Sequence, residues 1–333
     1  MSYQIPSPAS SLDELARIQH NVVTASQLRA RGVPARTVTE HCRRGGPWQR
    51  VLPRVFLLQP GTPTPEQRMW AALLYAAQNG MVEQRGAPAI TGAAALALYG
   101  FTSVPRLPAV TGVDVLVPQQ RRLRDAGQVR ILRTSRAPEA RLVHGLACVP
   151  VARAVADALC GWEGVLRPGA VRALLREAVE VGECRLHDLV RELREAGLLD
   201  AASVRAALDE VLAAAREAAQ EWLGGLLDEW LLPEPVRGAE LRLRGGTFVA
   251  VPDLYWPERS VAVELDSDVR CVSDGESAWV RGCRHRMEYL GVRVVRLASE
   301  RLDSEPGAVE QEVREALAEG GTDPVPLVMW HGW

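Results

Sequence analysis

The stretch FVAVPDLYWPERSVAVELDS, residues 248–267, holds two strand-like runs on either side of Pro257-Glu258-Arg259-Ser260, a turn signal. Side chains alternate across a strand, so Val261, Val263 and Leu265 take one face and Ala262, Glu264 and Asp266 the other. A turn centred on Glu258-Arg259 sets Asp253 directly across from Glu264, with Asp266 one diagonal step away, so three acids converge. Facing residues bring their Cβ atoms within about 5 Å, where like charges destabilise a sheet. A divalent cation offsets that repulsion. Mg²⁺ favours carboxylate oxygens and keeps waters that it can activate for in-line attack on a phosphodiester. Asp253, Glu264 and Asp266 are therefore candidate metal ligands and catalytic residues; the alternative is a wet polar face on which the carboxylates diverge. Pro252 cannot donate to a ladder, which predicts an edge or irregular strand here.

Beyond this hairpin, WVRGCRHRMEYL (279–290) reads as a helix stopped by Gly291, and VRVVRL follows as a strand. Arg281, Arg284 and Arg286 lie on that helix, either close to phosphates beside the acids or on an exposed face. Upstream, an Ala-, Leu- and Glu-rich helix spans roughly 201–231 and is ended by Pro233 and Pro235. Residues 201–333 thus form one αβ block.

At the other end, residues 1–60 read as a winged helix. Thr24 is a candidate N-cap for a short helix that Gly32 closes, and Pro34 opens a second helix running through Arg44 to Gly45-Gly46-Pro47. WQRVLPRVFLL (48–58) is the hairpin wing, turning at Pro53. The second helix and wing offer Arg36, Arg43, Arg44, Arg50 and Arg54 to backbone phosphates, and Thr37, Glu40 and His41 to base edges. This segment carries eight arginines against Asp13, Glu14 and Glu40, although the whole chain has a net charge of −2. A solvated face used for protein contacts is the alternative.

Between them, residues 61–200 read as a mixed αβ domain, with helices over 66–79, 93–99, 151–159 and 170–180 and a strand pair, VDVLVP and QVRILRT, joined by a linker bearing Arg121, Arg122 and Arg124. Arg153 and Asp157, one helical turn apart, predict an ion pair. At 333 residues the chain is long enough for several domains, and its class is α/β in the α+β sense. No apolar run is long enough for a membrane helix, and residues 1–20 lack a secretory pattern, so the expected location is cytoplasmic, with no membrane partner. The six cysteines are scattered without zinc-ligand spacing, and the chain contains no lysine.

PDLYWPERSVAVELD followed by RHRMEYLGVRVVRL resembles the PD-(D/E)XK nuclease superfamily, in particular its very-short-patch-repair-like endonuclease domains, over roughly residues 217–302. The resemblance implies a restriction-endonuclease-like four-stranded mixed sheet flanked by helices, with Asp253 as the motif aspartate and Glu264 and Asp266 as the E-x-D pair on Mg²⁺. Gln220 stands at the usual leading-helix glutamate, with Glu217 or Glu221 available after a small shift. Ser267 replaces the usual glycine after the E-x-D aspartate, Val280 and Cys283 stand at an aspartate and an arginine position, and no lysine completes the triad. VVTASQLRARGVPARTVTEHCRRGGPWQRVLPRVFLL and PAITGAAALALYGF, with the arginine-bearing hairpin after it, resemble the abortive-infection type IV antitoxin family. That family implies promoter binding, and a toxin partner or a homodimer. Two functions follow as expectations: a DNA-binding protein with a Mg²⁺-dependent endonuclease domain, or a non-catalytic antitoxin-like regulator carrying a degenerate nuclease fold.

Overall fold

The computed structural model describes residues 11–77, 87–161, 167–180, 184–266, 274–322 and 325–330. Its mixed α/β architecture divides into two compact units, residues 1–207 and 208–333. The blocks read as 1–60 and 61–200 fall together in the first.

Ser11 opens α1 (Leu12–Ile18) by accepting the Glu14 N–H. After β1 (Val22–Thr24), Thr24 starts α2 (Ala25–Ala30) with a reciprocal cap: its hydroxyl accepts from Gln27 N–H while the Gln27 side chain accepts from Thr24 N–H. Gly32 has φ +74°, a left-handed turn that glycine adopts without a steric penalty. The second helix, α3 (Ala35–His41), stops short of the expected Arg44. Trp48 N–H bonds back to the His41 carbonyl, and the reversal is so tight that a Cβ on Gly46 would sit 2.2 Å from that oxygen. β2 (Gln49–Leu52) and β3 (Val55–Leu57) form the antiparallel hairpin, and β1 pairs with β3 on its other side. Leu15, Val23 and Leu28 make the core, with Val38, Trp48 and Phe56 packed on it.

α4 (Pro65–Ala76) packs on β1–β3 and buries residues on nearly every side, as its apolar sequence requires. Then come β4 (Ala89–Thr91), α5 (Gly92–Leu98), β5 (Val113–Pro118), β6 (Val129–Thr134), β7 (Arg141–Val143), β8 (Leu146–Cys148), α6 (Val151–Gly161), α7 (Pro168–Glu180) and α8 (Leu186–Glu195). The five strands form one sheet in the order β6-β5-β4-β8-β7. β5 and β6 pair in parallel, so the arginine-bearing segment between them is a crossover and the expected hairpin is corrected. The Arg153–Asp157 pair forms as read, at 2.9 Å, and the Thr91 hydroxyl donates to the other Asp157 oxygen at 2.6 Å.

The second unit takes in most of α9 (Ala202–Glu229) and continues with β9 (Val236–Arg237), β10 (Glu240–Leu243), β11 (Phe248–Ala250), β12 (Leu254–Trp256), β13 (Val261–Asp266), α10 (Asp274–Tyr289), β14 (Arg293–Ala298), α11 (Ser299–Ser304), α12 (Pro306–Glu319) and β15 (Leu327–Trp330). One sheet runs β14-β13-β12-β9, parallel only between β13 and β14; a second runs β11-β10-β15. Strand alternation divides the core. Leu254, Trp256, Val261, Val263 and Leu265 join Leu223 and Leu227 of α9 and Val309 and Val313 of α12. Tyr255 and Ala262 join Cys283 and Met287 of α10 and Leu241 and Val249 of the second sheet. β12 therefore lies inside its sheet, flanked by β13 and β9, and Pro252 falls just outside it. The expected edge strand is corrected: ladder bonding begins beyond the proline.

Candidate functional site: the carboxylate hairpin and the arginine face

The β12–β13 register pairs Leu254 with Val263, Tyr255 with Ala262 and Trp256 with Val261; Asp253 lies just before this ladder, and its N–H bonds to the Val263 carbonyl at 3.1 Å. The turn is centred as the sequence reading placed it. Because both faces of this sheet are covered, neither acid is wet: Asp253 is 2% exposed and Glu264 3%. Asp253 sits at a bend and turns toward α9. Its Oδ1 accepts from Arg216 Nε (3.2 Å) and Nη2 (2.8 Å) and from Gln220 Nε2 (2.6 Å), while Oδ2 accepts the Leu265 N–H at 2.9 Å. Glu264 is held from the other face, where α10 brings Arg284 Nε to 2.9 Å from its Oε2.

The backbone of Asp266 ends β13 opposite Ala298, but its side chain, like residues 267–273 with Ser267, lies outside the described residues. Glu221 is exposed on α9, and Glu217 is exposed as well. Gln220, one residue earlier and about 100° round the helix, is the side chain that reaches Asp253. The placing of Glu221 in the site is therefore corrected.

These donors were tested as a Mg²⁺ site. Asp253 accepts four protein N–H groups, three on Oδ1 and one on Oδ2, which takes most of its acceptor capacity. Each acid also has a guanidinium beside it, so the repulsion that would call for a cation is already offset. Among the described residues no group of three His, Cys, Asp or Glu side chains is arranged to hold a metal. In this arrangement Mg²⁺ does not fit. A cavity of about 360 Å³ adjoins the pairs, lined by Arg216, Ala250, Val251, Glu264, Trp279, Val280 and Cys283. Burial pushes the Cys283 thiol up, with Arg286 opposing and Glu264 adding to the rise, so it is a neutral thiol and a poor nucleophile.

In the first unit, α3 buries none of its residues below the surface layer. Val38 and Cys42 turn inward and His41 meets Trp48 edge-on, with ring centroids 4.4 Å apart. The opposite side carries Arg36, Thr39, Glu40 and Arg43, all exposed, while Thr37 is half-buried. Arg36 makes an i,i+4 pair with Glu40 at 3.1 Å and keeps 90% of its side chain exposed. Arg44, Arg50 and Arg54 are exposed too, and Arg54 sits at the wing tip with φ +64°. In the second unit Arg281 is exposed, whereas Arg284 is committed to Glu264.

Thr39 and Arg216 were missed by the sequence reading. Helical phase, 100° per residue from the inward Val38, was a sufficient signal for Thr39; nothing local pointed Arg216 at an acid 37 residues away. No protein-family model matches the chain, and no curated protein is significantly similar to it. Among the described residues no helix is long and apolar enough to cross a membrane.

Proposed function

We propose that this chain is a cytoplasmic, DNA-binding winged-helix regulator whose C-terminal domain has the outline of a PD-(D/E)XK nuclease but does not cleave. Support for DNA as the partner comes from α3 and the hairpin, which carry Arg36, Arg43, Arg44, Arg50 and Arg54 on exposed positions suited to phosphates. The observation that carries the choice against catalysis is the arginine on each acid, Arg216 on Asp253 and Arg284 on Glu264. A toxin or a second copy of the chain, implied by the antitoxin resemblance, belongs to the same proposal.

The second reading, a Mg²⁺-dependent endonuclease, is favoured by a cavity lined by Glu264 and by Arg216, the partner of Asp253. It requires both guanidiniums to withdraw when metal and DNA arrive. One experiment separates the two: full-length protein is incubated with supercoiled plasmid and Mg²⁺ or Mn²⁺, and binding to labelled duplex is measured in parallel for wild type, Arg43→Ala/Arg44→Ala and Glu264→Ala. The expected result is salt-sensitive duplex binding weakened by the arginine substitutions, with no nicking. Metal-dependent nicking that Glu264→Ala abolishes would replace this reading with the endonuclease.

A further inference from the structure

Trp279 is 58% exposed, an unusual placement for the largest apolar side chain. Phe248 stacks on one face of the indole, with centroids 5.8 Å apart and planes 16° from parallel. Trp279 also forms part of the wall of the 360 Å³ cavity, together with Arg216 and Glu264. Three chemistries thus meet at one opening. The indole is a flat platform. Arg216 gives Nε and Nη2 to Asp253, leaving Nη1 without a partner among the described residues and 40% of its side chain exposed. The Glu264 carboxyl, paired with Arg284, offers hydrogen-bond acceptor oxygens on the cavity wall.

We propose that this opening binds an unpaired nucleobase of single-stranded DNA: the base stacks on Trp279 and extends the Trp279–Phe248 stack, Arg216 meets the adjoining phosphate, and Glu264 accepts from an exocyclic amine. Base-on-aromatic stacking beside a cation is how sequence-tolerant single-strand sites work. A duplex cannot enter in this way, because its bases are already stacked on one another. The inference stands apart from duplex binding by the first unit and from the question of cleavage. It assigns the second unit a task that needs neither metal nor a free carboxylate pair.

The test measures anisotropy of labelled 12-nucleotide oligonucleotides with the full-length chain in EDTA. Wild type is expected to bind oligo(dT) and, more tightly, oligo(dC), whose exocyclic amine Glu264 can accept. An abasic oligonucleotide of the same length and charge is expected to bind much more weakly. Trp279→Ala should weaken oligo(dC) about 5- to 150-fold, the range for loss of one stacked base, with Trp279→Phe retaining most of the affinity and duplex binding unchanged. Because Trp279 is exposed, the Ala variant is expected to keep the wild-type melting temperature. Arg43→Ala/Arg44→Ala should do the reverse, weakening duplex and sparing the single strand. Equal binding of the abasic strand, an unaffected Trp279→Ala protein, or no single-strand binding at all would overturn the proposal, even if duplex binding proves correct.

Discussion

Among the described residues Glu264 is held by Arg284, whereas Asp253 accepts from Arg216, Gln220 and the Leu265 N–H, and the two acids should answer mutation differently. Arg284→Ala leaves the buried Glu264 carboxyl without its guanidinium, and is expected to cost about 3 kcal/mol in urea unfolding. Arg216→Ala leaves Asp253 with Gln220 and the Leu265 N–H, and should cost less, about 1–2 kcal/mol. If the order is reversed, the pairing described for Glu264 is wrong. Asp157 is a pH case. Burial pushes its carboxyl up, against the pull of the Thr91 hydroxyl and Arg153. A carboxyl raised in the folded state holds its proton more tightly there than in the unfolded chain, so its contribution is fullest below the unfolded value near pH 4 and is lost as pH rises through the folded value. Comparing wild type with Asp157→Asn, the difference in unfolding free energy should move in favour of Asn from about pH 4 to pH 7. A flat difference would mean that Arg153 and Thr91 cancel burial, and a shift in favour of the wild type that they outweigh it.

Among the elements, α2 and α3 are short, and short helices depend on their ends. Thr24→Ala removes the half of the reciprocal cap in which the threonine hydroxyl accepts from Gln27 N–H, and is expected to destabilise the first unit by about 1 kcal/mol. Gly46→Ala meets the His41 carbonyl, which is backbone and cannot swing aside; it should displace α3 from the wing and weaken duplex binding more than its effect on melting would suggest. How much of this was legible depends on distance along the chain. The Thr24 cap, the Gly32 stop, the Pro53 turn and the centring of the turn between β12 and β13 rest on residues within about a dozen positions of each other, where turn chemistry and strand alternation suffice. The parallel pairing of β5 with β6 did not show, because the same alternating pattern suits either direction. Nor did the burial of the Glu264 face: Ala262 is too small to announce a covered surface, and its cover comes from α10 and a second sheet. The pairing of Asp253 with Arg216 and of Glu264 with Arg284 was therefore not legible in the sequence.

For the molecule as a whole, charge placement matters more than its sum. Five exposed arginines on α3 and the wing predict a plot of log binding constant against log salt with a slope of about −4.5, each arginine-to-alanine change making it shallower by about 0.9. Arg36→Ala should change it least, since Glu40 already shares that charge. A slope near zero would turn this face over to protein contacts. The wing tip carries a last implication. Arg54 holds a left-handed backbone conformation that glycine adopts freely and arginine does not. A directed-evolution campaign selecting only for heat tolerance should therefore enrich Arg54→Gly early, and its winners would be sturdier proteins with one positive charge fewer at the wing tip.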